Sequence, residues 1–244
     1  MGSTFERNHK VTYGETNKDR EVFISEIVNY MVETSISHGE SLGIGVDYQR
    51  NKGEAWIICR WDINFNELPK FYEDIKVTTE CMGANRFFAY RKFSIYRGEE
   101  CIVDAKSQWI YLDIEKRKAK KITEESIEKF DVEGKETLSF DKLLKEKEEI
   151  NSRLFTVRYR DIDMNQHVNN TKYVCWAMET IEPDFIINHK IKNLKVLYKK
   201  ETTYKDIVTS KIYSTENDNV LLHKIFSKDG VELAVLQSTW DDIK

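Results

Sequence analysis

Arg160-Asp-Ile-Asp-Met-Asn-Gln-His-Val-Asn-Asn170, continuing into Thr171-Lys-Tyr-Val-Cys-Trp-Ala-Met-Glu-Thr180, is the stretch on which the reading of this chain turns. It is where Asp, Asn and His crowd together between a strand pattern and a helix pattern. Phe155 to Tyr159 alternates bulky and β-branched residues, which predicts a strand. Tyr173, Val174, Ala177, Met178 and Ile181 recur at helical spacing, with Asn169 or Asn170 as a suitable N-cap. Asp163, Asn165 and His167 alternate between the two. In an extended segment such side chains share one face. That face would lie beside a helix N-terminus, whose unpaired N–H groups favour negative charge. Each residue alone reads as a cap or a structural group; their joint spacing points to a site.

Composition limits what the site serves. The chain has 244 residues, which suits one large or two small domains, and 40% are hydrophobic, enough for a packed core. Two prolines and ten glycines leave no low-complexity linker. No apolar run approaches the ~20 residues that span a bilayer, and the N-terminus lacks a basic-then-apolar signal. The expectation is a cytoplasmic protein with no membrane insertion. A net charge of −4 argues against nucleic acid as partner. Cys59, Cys81, Cys101 and Cys175 form no Cys-x-x-Cys pair, and no histidine stands at metal-ligand spacing. Reduced, buried thiols are expected, with no metal and no cofactor.

The chain contains a repeat. His9 to Tyr13 predicts a strand, and Ile24, Ile27, Val28, Met31 and Val32 predict a helix ending near Gly39, with Ser25 as candidate cap. Shifted by 146 positions, Val11, Tyr13, Val22, Val28, Glu33 and Thr34 fall on identical residues of the motif region. At a shift of 132, Tyr72-Glu-Asp-Ile75 falls on Tyr204-Lys-Asp-Ile207, and farther on Ser107-Gln-Trp109 matches Ser238-Thr-Trp240. Each half is then one helix and about five strands, two copies of one unit. Strands are expected at 55–63, 74–81, 87–96 and 101–113, and again at 192–198, 206–214, 220–227 and 232–241. The copies differ where chemistry is expected: Asn17, Asp19 and Glu21 face Asp163, Asn165 and His167. A single helix hides its apolar stripe by lying in a curled sheet. The fold class is therefore α+β, two tandem hot dog units, each a long central helix wrapped by a curved antiparallel sheet. The expected domains are 1–130, a linker over 131–150 with a short surface helix at 141–149, and 151–244 carrying the polar set.

Asp163, Asn165, His167, Val168, Asn169, Asn170 and Tyr173 match the pattern Asp-x-Asn-x-His-Val-Asn-Asn-x-x-Tyr. In this the chain resembles the acyl-acyl carrier protein (acyl-ACP) thioesterases. The resemblance covers nearly the whole chain and implies the same tandem fold, with the acyl chain housed on the side of the first unit. It implies hydrolysis of a fatty acyl thioester carried on the phosphopantetheine of acyl carrier protein. It also implies a glutamate. Plant members carry Glu-Cys after the motif helix, and here the matching run is Val196-Leu-Tyr-Lys-Lys-Glu201-Thr202. Glu201 fits the glutamate; Thr202 replaces the cysteine, so a thiol nucleophile is unavailable there.

Thioester hydrolysis needs a base for water and donors for the carbonyl oxygen, because a thiol of pKa roughly 8.5 leaves unaided. The catalytic set expected on this resemblance is Asp163, Asn165, His167 and Glu201. Glu201 would be general base or hold the water, His167 and Asn165 would orient water and carbonyl, and Asp163 would position them or attack as nucleophile. Backbone N–H groups of Val168, Asn169 and Asn170 are the expected oxyanion donors. Lys195, Lys199, Lys200 and Lys205 are the basic group expected to meet an acidic carrier. Two other readings stay open: an acyl-CoA thioesterase of the same fold, and a non-catalytic acyl-binding protein. Two units in one chain suit a monomeric pseudo-dimer or a homodimer.

Overall fold

The computed structural model describes residues 3–132 and 137–243. Residues 133–136 of the expected linker lie outside the described residues. The chain divides into two compact units, Met1–Phe140 and Asp141–Lys244.

In the first unit β1 (Thr4–Lys10) leads through a one-turn 3-10 helix at Tyr13–Glu15 into α1 (Ile24–Ser41) and the short α2 (Val46–Asn51). Strands β2 (Glu54–Phe65), β3 (Asp74–Ala84), β4 (Phe88–Arg97) and β5 (Glu100–Asp113) follow, then the two-residue β6 (Lys118–Ala119) and α3 (Glu124–Ile127). The sheet order is β1-β3-β4-β5-β2, antiparallel throughout, with β6 on β5. Helix α1 buries Ile27, Val28, Tyr30 and Met31, and β3 buries Ile75, Val77, Thr79 and Cys81 at every second residue. These are the 3.6 and 2.0 periods of helix and strand, meeting on one core. Each buried aliphatic side chain stabilises by roughly 1.5–3 kcal/mol relative to exposure. The cap at Ser25 does not form: Phe23 is the N-cap of α1, without a side-chain bond, and Ser25 lies inside the helix.

The second unit repeats this plan. It has β7 (Glu149–Thr156), a 3-10 turn at Tyr159–Asp161, α4 (Asn170–Glu179), α5 (Pro183–Asn188), then β8 (His189–Tyr198), β9 (Ile207–Tyr213), β10 (Val220–Ser227) and β11 (Glu232–Asp242). Its order, β7-β9-β10-β11-β8, is that of the first unit copy for copy. The two copies also share their smallest details. Trp109 Nε1 donates to Ser107 Oγ at 2.7 Å and Trp240 Nε1 to Ser238 Oγ at 2.8 Å. Val11 N–H donates to Glu73 O and Val157 N–H to Asp206 O, both at 2.9 Å. That last pair corrects the register: Glu73 and Asp206 are 133 apart, not 132. The left-handed backbones of Tyr72 (φ 73°) and Lys205 (φ 67°) obey the same 133. Backbone role, not residue identity, aligns the copies here.

Three further expectations change. Helix α4 has ten residues, so the second unit's central helix is not long. No helix forms over 141–149, where a charged run carries helix propensity. The segment instead gives its N–H groups to its own unit: Leu144 to Gln237 Oε1 at 2.8 Å and Lys147 to Ser214 O at 2.8 Å. The four cysteines are free thiols, but only Cys81 is buried and the other three are partly exposed.

Each unit holds one buried neutral histidine. Arg91 donates to His38 Nδ1 at 3.1 Å, so His38 carries its proton on Nε2 and donates to Ser3 Oγ at 2.6 Å. Burial, then the Arg91 charge, lowers His38 to about 4. Burial alone lowers His223, which bonds Ser238 Oγ at 2.8 Å, to about 3. Unfolded, both rings titrate near ~6.5. As pH falls from there, the unfolded chain binds protons that the folded chain refuses, and stability declines. The urea midpoint is therefore expected to be lower at pH ~5 than at pH ~7. His223→Gln, which keeps a donor for Ser238, is expected to flatten that decline; an unchanged slope would show that His223 is not neutral in the fold.

Candidate active site

The site is built on the bend between β7 and α4. The segment is not extended as alternation suggested. Asp163 N–H donates to His167 O at 2.8 Å and Gln166 N–H to Asp163 O at 3.1 Å, closing a turn in which Gln166 is left-handed (φ 65°). The Asp163 carboxylate turns back into it: Oδ1 accepts the N–H of Asn165 at 2.8 Å and of His167 at 3.3 Å. Asn165 consequently stands exposed at the tip, while His167 is half-buried. Asn169 caps α4, its Oδ1 accepting from Thr171 N and Thr171 Oγ1, both at 2.9 Å.

The oxyanion expectation fails at two of its three positions. Val168 N–H donates to Thr202 O at 3.1 Å and Asn169 N–H to Asp161 O at 2.9 Å. Both donors are engaged, so neither Val168 nor Asn169 offers an N–H to a carbonyl. Asn170 is the expected donor that remains, in the first turn of α4, where the helix dipole favours an oxyanion.

Glu201 is not on a strand. β8 ends at Tyr198, and Glu201 lies in the loop beyond it. Lys199 and Lys200 both donate their N–H to Leu233 O, the Lys199 ammonium pairs with Glu232, and Thr202 O holds Val168 N–H. This route delivers the Glu201 carboxylate to the bend: Oε2 lies 3.4 Å from His167 Nε2. The two side chains are 38% and 21% exposed, open enough for water and substrate to reach them.

The residues that hold this pair lie outside the Asp-x-Asn-x-His spacing. Asp161 is fully buried; its carboxylate accepts Arg158 N–H at 2.8 Å and the Arg158 guanidinium at 3.3 Å. Thr12 and Glu15 stand at the same spacing one repeat earlier and make the same backbone bond, at 2.6 Å, a signal that was available. Tyr198 OH donates to Asn170 O at 3.0 Å, tying β8 to the start of α4. Thr202 Oγ1 donates to Asp206 Oδ2 at 2.6 Å, which with nearby Lys228 holds the Asp206 carboxyl below its usual range. Burial, then a bond to Glu179, pushes the Cys175 thiol up to about 12, which disfavours its thiolate. Among the described residues no cluster of three or more His, Cys, Asp or Glu side chains is arranged to hold a metal.

Two family models match the chain, the acyl-ACP thioesterase N-terminal domain over residues 2–130 and the C-terminal domain over residues 144–242. The chain belongs to the acyl-ACP thioesterase family. It is 24% identical to an oleoyl-acyl carrier protein thioesterase of Coriandrum sativum over 263 residues, covering 100% of this chain and 71% of the relative. It is 26% identical to an acyl-[acyl-carrier-protein] hydrolase of Cuphea viscosissima over 259 residues, covering 98% of this chain and 63% of that one. Both relatives are named as chloroplastic proteins. The fold is that of the 12:0-ACP thioesterase from Umbellularia californica, with TM-score 0.87, 20% identity and 98% of each chain covered. It is also that of an acyl-ACP thioesterase from Bacteroides thetaiotaomicron, with TM-score 0.86, 17% identity and 98% of each chain covered. The tandem hot dog reading stands on this likeness and on the matching strand orders. No helix of the described residues is long and apolar enough to cross a membrane.

Thr202 joins the Glu201 loop to the bend through its carbonyl and to Asp206 through its hydroxyl. Thr202→Val removes the hydroxyl alone. The expected cost is about 1.5 kcal/mol, the range of a bond to a charged acceptor. It would be read as a lower urea midpoint at unchanged slope.

Proposed function

We propose that this chain hydrolyses the thioester of fatty acyl-acyl carrier protein to a free fatty acid and the carrier thiol. The observation that carries the reading is the 3.4 Å approach of Glu201 to His167 inside a family of thioester hydrolases. Glu201 takes a proton from water as its oxygen attacks the thioester carbon. His167 orients that water, and the Asn165 amide contributes a further donor at the carbonyl. Charge that develops on the carbonyl oxygen faces the first turn of α4. The tetrahedral intermediate then collapses, the C–S bond breaks, and the thiolate leaves and collects a proton from solvent or from Glu201. A thiol of pKa roughly 8.5 needs no strong acid for this step.

An acidic carrier is proposed to dock beside the site. Lys195 pairs with Asp141 at 2.9 Å and Lys199 with Glu232, which offsets half of the basic group named from sequence. Lys200 and Lys205 are exposed, and Lys205 sits 5.3 Å over the exposed Tyr204 ring, itself 6.1 Å from exposed Tyr159. That aromatic and basic surface suits the phosphate and the acidic partner together. We propose a cytoplasmic activity, carried by a pseudo-dimeric monomer or by a homodimer.

Thiol release from acyl carrier proteins of graded chain length, with matched acyl-CoA beside them, tests the reading. Glu201→Ala and His167→Ala are each expected to lower kcat by about 10²–10⁴, the scale of general-base catalysis. Turnover near wild type in Glu201→Ala would remove Glu201 from the mechanism. Raising salt from ~0.05 to ~0.5 M is expected to raise KM for the carrier substrate, since screening shortens the reach of surface charge. KM for an acyl-pantetheine, which lacks the carrier, is expected to hold steady.

A further inference from the structure

The first unit carries the same bend with none of the proposed chemistry. Asn17 stands where Asp163 stands, 146 residues earlier. Its Oδ1 accepts the N–H of Asp19 at 2.9 Å and of Glu21 at 3.0 Å. Asn17 N–H donates to Glu21 O at 2.8 Å and Arg20 N–H to Asn17 O at 3.0 Å. Arg20 is left-handed (φ 66°), as Gln166 is (φ 65°). Val22 N–H donates to Pro69 O as Val168 N–H does to Thr202 O, and Phe23 N–H to Glu15 O as Asn169 N–H does to Asp161 O. The backbone is thus reproduced bond for bond. The side chains are not. Glu21 occupies the place of His167, and Leu68 that of Glu201. A cap that persists where no proton is moved is there for geometry. An uncharged amide performs it as well as a carboxylate, because one acceptor oxygen aimed at two N–H groups is all that the turn requires.

We propose that Asp163 is a positioning residue: its Oδ1 builds the bend that presents Asn165 and His167, and its carboxylate takes no part in making or breaking bonds. The inference rests on the hydrolase reading above and narrows its set of reacting groups to Glu201, His167 and Asn165. An attacking Asp163 would form a mixed anhydride with the acyl group and surrender its negative charge. The two N–H groups on Oδ1 stabilise that charge where it is.

Asp163→Asn separates the two roles. It keeps the oxygen that holds the bend and replaces the other with an amide NH2, reproducing Asn17. Asp163→Ala removes both. Kinetics would be measured on the best acyl carrier substrate, with amide hydrogen exchange at Asn165 and His167 and the thermal midpoint recorded for each variant. Expected is kcat within about tenfold of wild type for Asp163→Asn with both amides still protected. For Asp163→Ala, a loss of about 10²-fold is expected, as for a catalytic group displaced by ~1 Å, with both amides exchanging faster. Asp163→Asn as inactive as Asp163→Ala, with both amides protected, would overturn the proposal. So would Asp163→Ala with wild-type turnover. If the wild type releases thiol from no carrier substrate, the hydrolase reading falls instead, and amide exchange still judges the cap.

Discussion

One backbone hydrogen bond ties together the two halves of the candidate site: Val168 N–H to Thr202 O at 3.1 Å. The residue before Val168 is His167 and the residue before Thr202 is Glu201, so the bond fixes two neighbours far apart in sequence within reach of one another. Everything nearby secures its two ends. Asp161, Asp163 and Asn169 hold the bend, each with a carboxylate or amide oxygen on backbone N–H groups. Leu233, Tyr198 and Asp206 hold the other side. The side chains that would react are few, and those that hold the backbone for them are many, which is the usual proportion in a preorganised site.

The internal repeat explains why such a scaffold was at hand. In the first unit the same bond runs from Val22 to Pro69, and the same acceptor oxygens close the same turn. There it ties the entry of an eighteen-residue helix to the loop before β3. Tying helix entry to sheet is a folding task that both units share. A histidine and a glutamate beside that tie would give it the second use proposed above; the first unit has Glu21 and Leu68 in their places.

The strands and the two central helices were legible because their apolar periods are clean: β10 occupies the expected 220–227, and the ends of β2 to β5 fall within three residues of those expected. The polar set was legible as spacing, and Glu201 through the family resemblance. What failed was local geometry. Alternation of Asp163, Asn165 and His167 suggested an extended segment, whereas the carboxylate of the first bends the chain into a turn. The strand expected to reach Tyr159 stops at Thr156, and the 3-10 turn that follows leaves the Tyr159 ring exposed. Helix propensity over 141–149 lost to hydrogen bonds with Gln237 and Ser214, partners that no local window contains. The identities at Tyr72 and Tyr204 misled the register by one residue, because the left-handed position is what the fold repeats. The short helices α2 and α5 have six residues each, too few to show a period.

Thr202 has one more implication. Burial holds Cys59 up at about 11 and Cys175 at about 12, and the position beside Glu201 carries a hydroxyl rather than a thiol. Oxidants and alkylating agents attack thiolates, and sulfur in this chain stays protonated at neutral pH where those two residues are concerned. The proposed chemistry would rest on a carboxylate and an imidazole, so oxidation of a thiol would strike none of its reacting groups.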